Sequence, residues 1–132
     1  MDTRTKQEID YLNEMNHLTE KIIGCGFKVS NSLGGGFLEK VYENALAHEL
    51  EKSGLHTIQQ QSLTVWYDGI VVGDFIADII VEDQILIELK SLKSLNDNHI
   101  AQCINYLKAT KLKICLLINF GNSKMEFKRI VN

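Results

Sequence analysis

Three charged side chains stand in a stretch that otherwise reads as sheet core. They are Asp78, Glu88 and Lys90, within Asp-Ile-Ile-Val-Glu-Asp-Gln-Ile-Leu-Ile-Glu-Leu-Lys at 78–90. A strand alternates its faces, so Glu88 and Lys90 point the same way, with Leu86 beside them. If Val81 pairs with Ile85 across the loop Glu82-Asp83-Gln84, Asp78 falls opposite Glu88 on that face; a two-residue loop would turn it to the other. The three-residue register is expected because it gathers the charges. Two opposed carboxylates repel and lose hydration unless a cation sits between them or one is protonated. A hard divalent ion answers that need, since Mg2+ takes one or two carboxylates and keeps waters it can share with a phosphate. Lys90 could then orient or help deprotonate an attacking water, or stabilise charge on a phosphorane-like transition state. The same spacing also fits Lys90 neutralising the two acids as a structural ion pair.

Flanking elements supply further candidates. Gln102 and Tyr106 lie four apart on a helix that follows the third strand, beside its apolar face, and could lean over the hairpin. Glu39 opens the second helix, where it could add a third carboxylate to a metal shell or simply serve as a favourable acid in a first turn. Other chemistries lack their signatures. His17, His48, His56 and His99 are scattered without HExxH or zinc spacing, and no serine elbow is present. Cys25, Cys103 and Cys115 form an odd set without CxxC, which reads as three small buried apolar residues.

The elements that must position these groups follow from periodicity. Tyr11, Met15, Leu18, Ile22, Cys25 and Val29 recur at spacings of four and three, which predicts one amphipathic helix over Lys6 to Ser32 that packs on the core. Gly24 and Gly26 predict close packing or a kink near Cys25. Gly34-Gly35-Gly36 is a helix-to-helix turn rather than a phosphate loop, because no strand precedes it and no Gly-Lys-Ser/Thr follows. A second helix is expected from Phe37 or Leu38 to Ser53-Gly54, burying Leu38, Val41, Tyr42, Ala45, Leu46 and Leu50. Strands are expected at His56–Trp66, Ile70–Val81 and Ile85–Ser91 as an antiparallel meander. A helix capped by Asn96 or Asp97 should bury Ile100, Cys103, Ile104 and Leu107 and end near Thr110. Strands at Lys113–Phe120 and Met125–Val131 complete the order ααβββαββ.

Composition sets the outer bounds. With 132 residues, 45% of them hydrophobic, the chain suits one domain, a helical pair over 1–54 and a sheet with one crossover helix over 55–132. The N-terminus lacks a signal-peptide core and no apolar run reaches a membrane span, so a cytoplasmic protein without membrane association is expected. The net charge is -3, but residues 1–84 carry -8 and residues 85–132 carry +5. A basic face in the second half is one reading of that asymmetry, and a set of solvated helix and strand faces is the other.

Asp78, then Glu88-Leu89-Lys90, then Gln102-x-x-x-Tyr106 on a helix resembles the PD-(D/E)XK nuclease superfamily, including its RecB-like and junction-resolvase-like branches. Gly36-Phe37-Leu38-Glu39-Lys40-Val41-Tyr42 is similar to the signature of the bacterial GxxExxY family within it, as are the stretches around Leu18–Gly24 and Leu116–Gly121. Where such proteins often carry His and Pro before and within the glycine turn, this chain has Ser30 and Gly35. The resemblance implies a restriction-endonuclease-like mixed α/β core. It implies Asp78, Glu88 and Glu39 as ligands of Mg2+ or Mn2+, and Lys90 as the catalytic lysine. Gln102 would contact the water or phosphate, with Tyr106 and Tyr42 as accessory residues.

The first functional reading is therefore a metal-dependent phosphodiesterase acting on DNA, ahead of RNA, including branched or single-stranded forms. Lys93, Lys108, Lys111 and Lys113 are candidates for backbone contact. The alternative is a non-catalytic nucleic-acid or protein interaction module that keeps the nuclease fold. A homodimer through the Tyr11–Val29 stripe is a third reading.

Overall fold

Thr5 starts the first helix by a reciprocal cap. Its hydroxyl accepts from the Glu8 N–H (3.1 Å) and its own N–H donates to the Glu8 carboxylate (2.8 Å) in a computed structural model that describes residues 3–132. Helix α1 (Lys6–Leu33) then runs through both glycines, and Met15, Ile22, Cys25 and Val29 of the expected stripe are buried in the core. Of the two outcomes expected near Cys25, close packing is the one observed. A Cβ on Gly26 would lie 2.8 Å from the Met125 sulfur.

Helix α2 (Glu39–Lys52) begins one or two residues later than the expected Phe37 or Leu38, with Leu38 as its N-cap. Its buried face is also rotated. Leu38 is 82% exposed and Val41 is exposed, while Tyr42, Glu43, Leu46, Ala47 and Leu50 are buried. The reason lies in Glu43, whose carboxylate is engaged by Gln59 and Gln60 of the neighbouring strand and so draws its side of the helix inward.

The strands are β1 (Thr57–Tyr67), β2 (Ile70–Val81), β3 (Ile85–Lys90), β4 (Ile114–Asn119) and β5 (Glu126–Val131), with α3 (Asp97–Thr110) between β3 and β4. The element order is the expected ααβββαββ. The five strands lie side by side in sequence order, all neighbours antiparallel except β3 and β4, which are parallel. A parallel pair needs a crossover, and α3 provides it. Because helices cover both faces, β3 and β4 read as near-continuous apolar runs. Ile79, Ile87, Leu116 and Ile118 pack with α1 and α2 on one side; Leu86, Cys115 and Leu117 pack with Cys103 and Leu107 of α3 on the other.

The buried face of α3 is Cys103, Tyr106 and Leu107, whereas Ile104, expected inside, is 38% exposed. Tyr106 takes that place because its ring meets Phe75 of β2 at 5.4 Å. All three cysteines are free and buried, as expected. Among the described residues no helix is long and apolar enough to cross a membrane.

Candidate active site

The expected three-residue register is the observed one. Strands β2 and β3 pair at Val81↔Ile85, Ile80↔Leu86 and Ile79↔Ile87, and there the ladder stops. One step further from the turn, side chains replace it. The Asp78 N–H donates to Glu88 Oε1 (3.2 Å), and the Leu89 N–H donates to Asp78 Oδ2 (2.8 Å). Buried backbone donors must be satisfied, and here each carboxylate satisfies one from the opposite strand. Asp78 and Glu88 thus occupy a fork between two strands of the sheet.

The other edge of β2 is disturbed at the same place. Pairing with β1 passes from Gln59↔Ile79 to Gln61↔Ala77, skipping Gln60 and Asp78, and Gln60 holds φ at 54°. Side-chain alternation changes phase there: Phe75 and Ala77 face the α3 cluster before Asp78, but Ile80 does after it. A left-handed glutamine costs of order 1–2 kcal/mol. Its amide offsets part of that cost by donating to Glu43 Oε1 (2.6 Å) and, at 3.4 Å, to Asp78 Oδ1. Glu43 Oε2 accepts in turn from Gln59 (2.6 Å) and pairs with Lys40 (3.1 Å).

Electrostatics follow from this crowding of acids. Glu88 is 3% exposed, and burial, reinforced by the charge of Asp78, pushes its carboxyl up to about 9. Asp78 is also raised, first by burial and then by Glu43, with the Leu89 N–H pulling the other way. Glu39, solvent-accessible at the start of α2, is raised by partial desolvation and then by Asp78, against a lowering contribution from Lys90. These interactions put Glu39, Asp78, Glu88 and Lys90 in one electrostatic neighbourhood. On the α3 side, Tyr106 is raised by burial and by Glu88, and its hydroxyl accepts from Gln102 Nε2 (3.1 Å).

Four residues hold the ends of these elements. Tyr42, fully buried, donates from its hydroxyl to the Gly34 carbonyl (2.6 Å) and accepts from the Phe37 N–H (3.2 Å), closing the glycine turn ahead of Glu39. Its ring stacks on Phe120 at 4.7 Å. Ser91 Oγ donates to the Phe37 carbonyl (3.0 Å), tying that turn to the residue after Lys90. Asn119, also fully buried, accepts from the Leu92 N–H and donates to the Leu92 carbonyl, both at 2.9 Å. Gly121 packs so closely that a Cβ there would collide with the Leu92 backbone.

The four lysines do not form one group. Lys93 lies in the β3–α3 loop at the Lys90 end of the sheet. Lys108, Lys111 and Lys113 lie around the C-terminus of α3, which the parallel pairing of Ile85 with Ile114 puts at the opposite end of β3.

A profile of the PD-(D/E)XK nuclease superfamily matches residues 16–130. The chain belongs to the PD-(D/E)XK nuclease superfamily. The matched span contains the whole fork together with Glu39, Gln102 and Tyr106, and the mixed sheet with helices on both faces agrees with that fold. No curated protein and no solved structure matches the chain. Members of the PD-(D/E)XK superfamily typically hydrolyse phosphodiester bonds with divalent metals.

The donor set suits such an ion. Asp78 and Glu88 offer hard oxygen ligands whose pKa values are raised first by burial, and a divalent cation beside them would favour their charged forms. Among the described residues no three His, Cys, Asp or Glu side chains converge as a ready cage. Two carboxylates with the remaining positions filled by water is a coordination Mg2+ accepts.

Glu43, Gln60, Asn119 and Gly121 were not among the sequence candidates. Glu43 left a trace, since it continues the Leu46–Leu50 stripe of α2 at a position where a helix buries apolar groups. Gln60 is the centre of a Gln-Gln-Gln run in an otherwise β-forming strand. Asn119 and Gly121 lie in the Leu116–Gly121 stretch that resembles the family, but nothing in the sequence marked them as contacts of Leu92.

Proposed function

We propose that this chain is a divalent-metal-dependent nuclease that hydrolyses phosphodiester bonds of DNA, of the GxxExxY type within its superfamily, with residues 1–132 as one domain. Met1 and Asp2, at the head of that span, lie outside the described residues. The observation that carries the reading is the fork in which Asp78 and Glu88 each satisfy the other strand's backbone while crowding their negative charges.

Asp78 and Glu88 would hold Mg2+ or Mn2+ with water in the remaining positions, and Glu39 would approach that shell from the start of α2. Bound there, such an ion would supply a water of lowered pKa and positive charge for the scissile phosphate. Lys90 emerges half-buried from β3 on the Glu88 face and orients the attacking water or stabilises charge on the phosphorane-like transition state. Gln102 spends its amide N–H on Tyr106, which leaves its carbonyl oxygen to accept from that water. Tyr42 fixes Glu39 by closing the turn before it. Lys93 is suited to a phosphate near Lys90.

The direct test is cleavage of single-stranded, duplex and branched DNA with Mg2+ or Mn2+, with Glu88→Ala and Lys90→Ala in parallel. Metal-dependent cleavage lost in both variants is expected. Activity that persists in both sinks the assignment. Calorimetric titration of Mg2+ into the wild type and Glu88→Ala separates a nuclease from an interaction module, which need not bind the ion at the fork.

A further inference from the structure

The surface around α3 carries three open depressions, each sharing lining residues with the next. The first, about 400 Å3, abuts the candidate active site and is lined by Gln102, Tyr106, Phe75, Asn98, His99 and Asn105. It has an aromatic floor, a rim of amides and an imidazole, and no carboxylate. The second, about 290 Å3, shares Phe75 and Asn105 with the first and adds Lys108. The third, about 280 Å3, shares Lys108 with the second and adds Lys111 and Lys113. The track follows a helix of 14 residues, a length of about 21 Å.

The order of chemistry along this track is informative. Next to the fork the lining is neutral, with half-buried Phe75 presented beside Tyr106 and the side-chain amides of Asn98 and Asn105 exposed. Such a surface accepts the face of a base and can bond its edge, but it carries no lysine or arginine to pair with a phosphate. One turn on, the lysines begin. Proteins that bind single strands combine these two features, an aromatic platform for bases and a positive groove for the backbone. A duplex keeps its bases stacked inside and has no group to place on Phe75.

Resting on the nuclease reading above, we infer that the α3 groove binds a single-stranded segment of DNA. A base beside the scissile phosphate stacks on half-buried Phe75, which buried Tyr106 backs from beneath, and the chain leads on past Lys108 to Lys111 and Lys113. The lysines at the far end of β3, distant from the fork, thereby act on the same substrate as the fork.

The test is fluorescence anisotropy of the full chain with labelled oligothymidylate, a duplex of equal length and an abasic oligomer of equal length, all in EDTA so that binding is read without cleavage. Oligothymidylate is expected to bind at least about tenfold more tightly than either competitor. Lys108→Gln with Lys113→Gln should weaken binding of oligothymidylate and lower the salt slope by about 1.4, the share of two phosphate contacts on a single strand. Phe75→Leu should weaken oligothymidylate but leave the abasic oligomer unchanged. Duplex bound as tightly as the single strand, or affinities indifferent to the two lysines and to Phe75, overturns the groove. Mg2+-dependent cleavage without this binding pattern removes the groove and leaves the nuclease reading; the binding pattern without cleavage does the reverse.

Discussion

Glu88→Gln should make the metal-free protein more stable at alkaline pH while abolishing the activity proposed for it. Glu88 has a folded-state pKa raised from 4.5 to about 9 by burial and by Asp78, so the folded state binds a proton that the unfolded chain releases. Its stabilising contribution is therefore fully present below about 4.5 and is lost as pH rises towards 9. At pH 8 the ceiling on that loss is roughly 5 kcal/mol, at about 1.4 kcal/mol for each pH step above the unfolded value. Relaxation and water entry at the fork reduce it, and about 2–3 kcal/mol is a realistic size. Glutamine keeps the acceptor for the Asp78 N–H and can donate to the Asp78 carboxylate, but it never ionises. Thermal unfolding in EDTA should show equal Tm values near pH 4 and a Glu88→Gln Tm higher by roughly 5–10 °C at pH 8. Saturating Mg2+ should raise the wild-type Tm and leave the variant nearly unchanged. A wild type as stable as Glu88→Gln at pH 8, or a gap that does not widen with pH, refutes the reasoning.

Other perturbations probe the supports of the site. Glu43→Gln removes a charge that raises Asp78, so the acid limb of the Mg2+-dependent pH–rate profile should move to lower pH, while urea unfolding shows a loss of about 1–3 kcal/mol from the Lys40–Gln59–Gln60 network. Tyr42→Phe keeps the stack on Phe120 but frees the glycine turn. Urea melts should register about 1–2 kcal/mol, and the KM for Mg2+ should rise as Glu39 loses its fixed approach. Gly121→Ala drives a methyl into the Leu92 backbone, which cannot move aside as a flexible side chain would; a loss above about 2 kcal/mol is expected by chemical denaturation. Asn119→Ala leaves both polar groups of Leu92 without their partner and should cost about 2–4 kcal/mol with little change in m.

Local pattern alone specified the element order and the α3 crossover, because each depends on apolar spacing between neighbouring residues, whereas the hairpin register was expected from the gathering of its charges. Asp78, Glu88 and Lys90 stood out for the same reason, as charges where alternation called for Val or Ile. What the sequence could not set was helix phase. Val41 and Ile104 fit the apolar stripes equally well but lie outward, where Glu43 bonds Gln60 and Tyr106 seats on Phe75 on the buried sides of their helices, and Leu38 is the extended N-cap before α2. Nor could it show that the ladder parts at Asp78, since the break is made by hydrogen bonds between residues ten and eleven apart and by a left-handed Gln60 on a third strand. The chemistry was written into residue types along one hairpin. Its geometry depends on Asn119, Gly121, Tyr42 and Ser91, whose contacts reach across the chain and exist only once the sheet has closed.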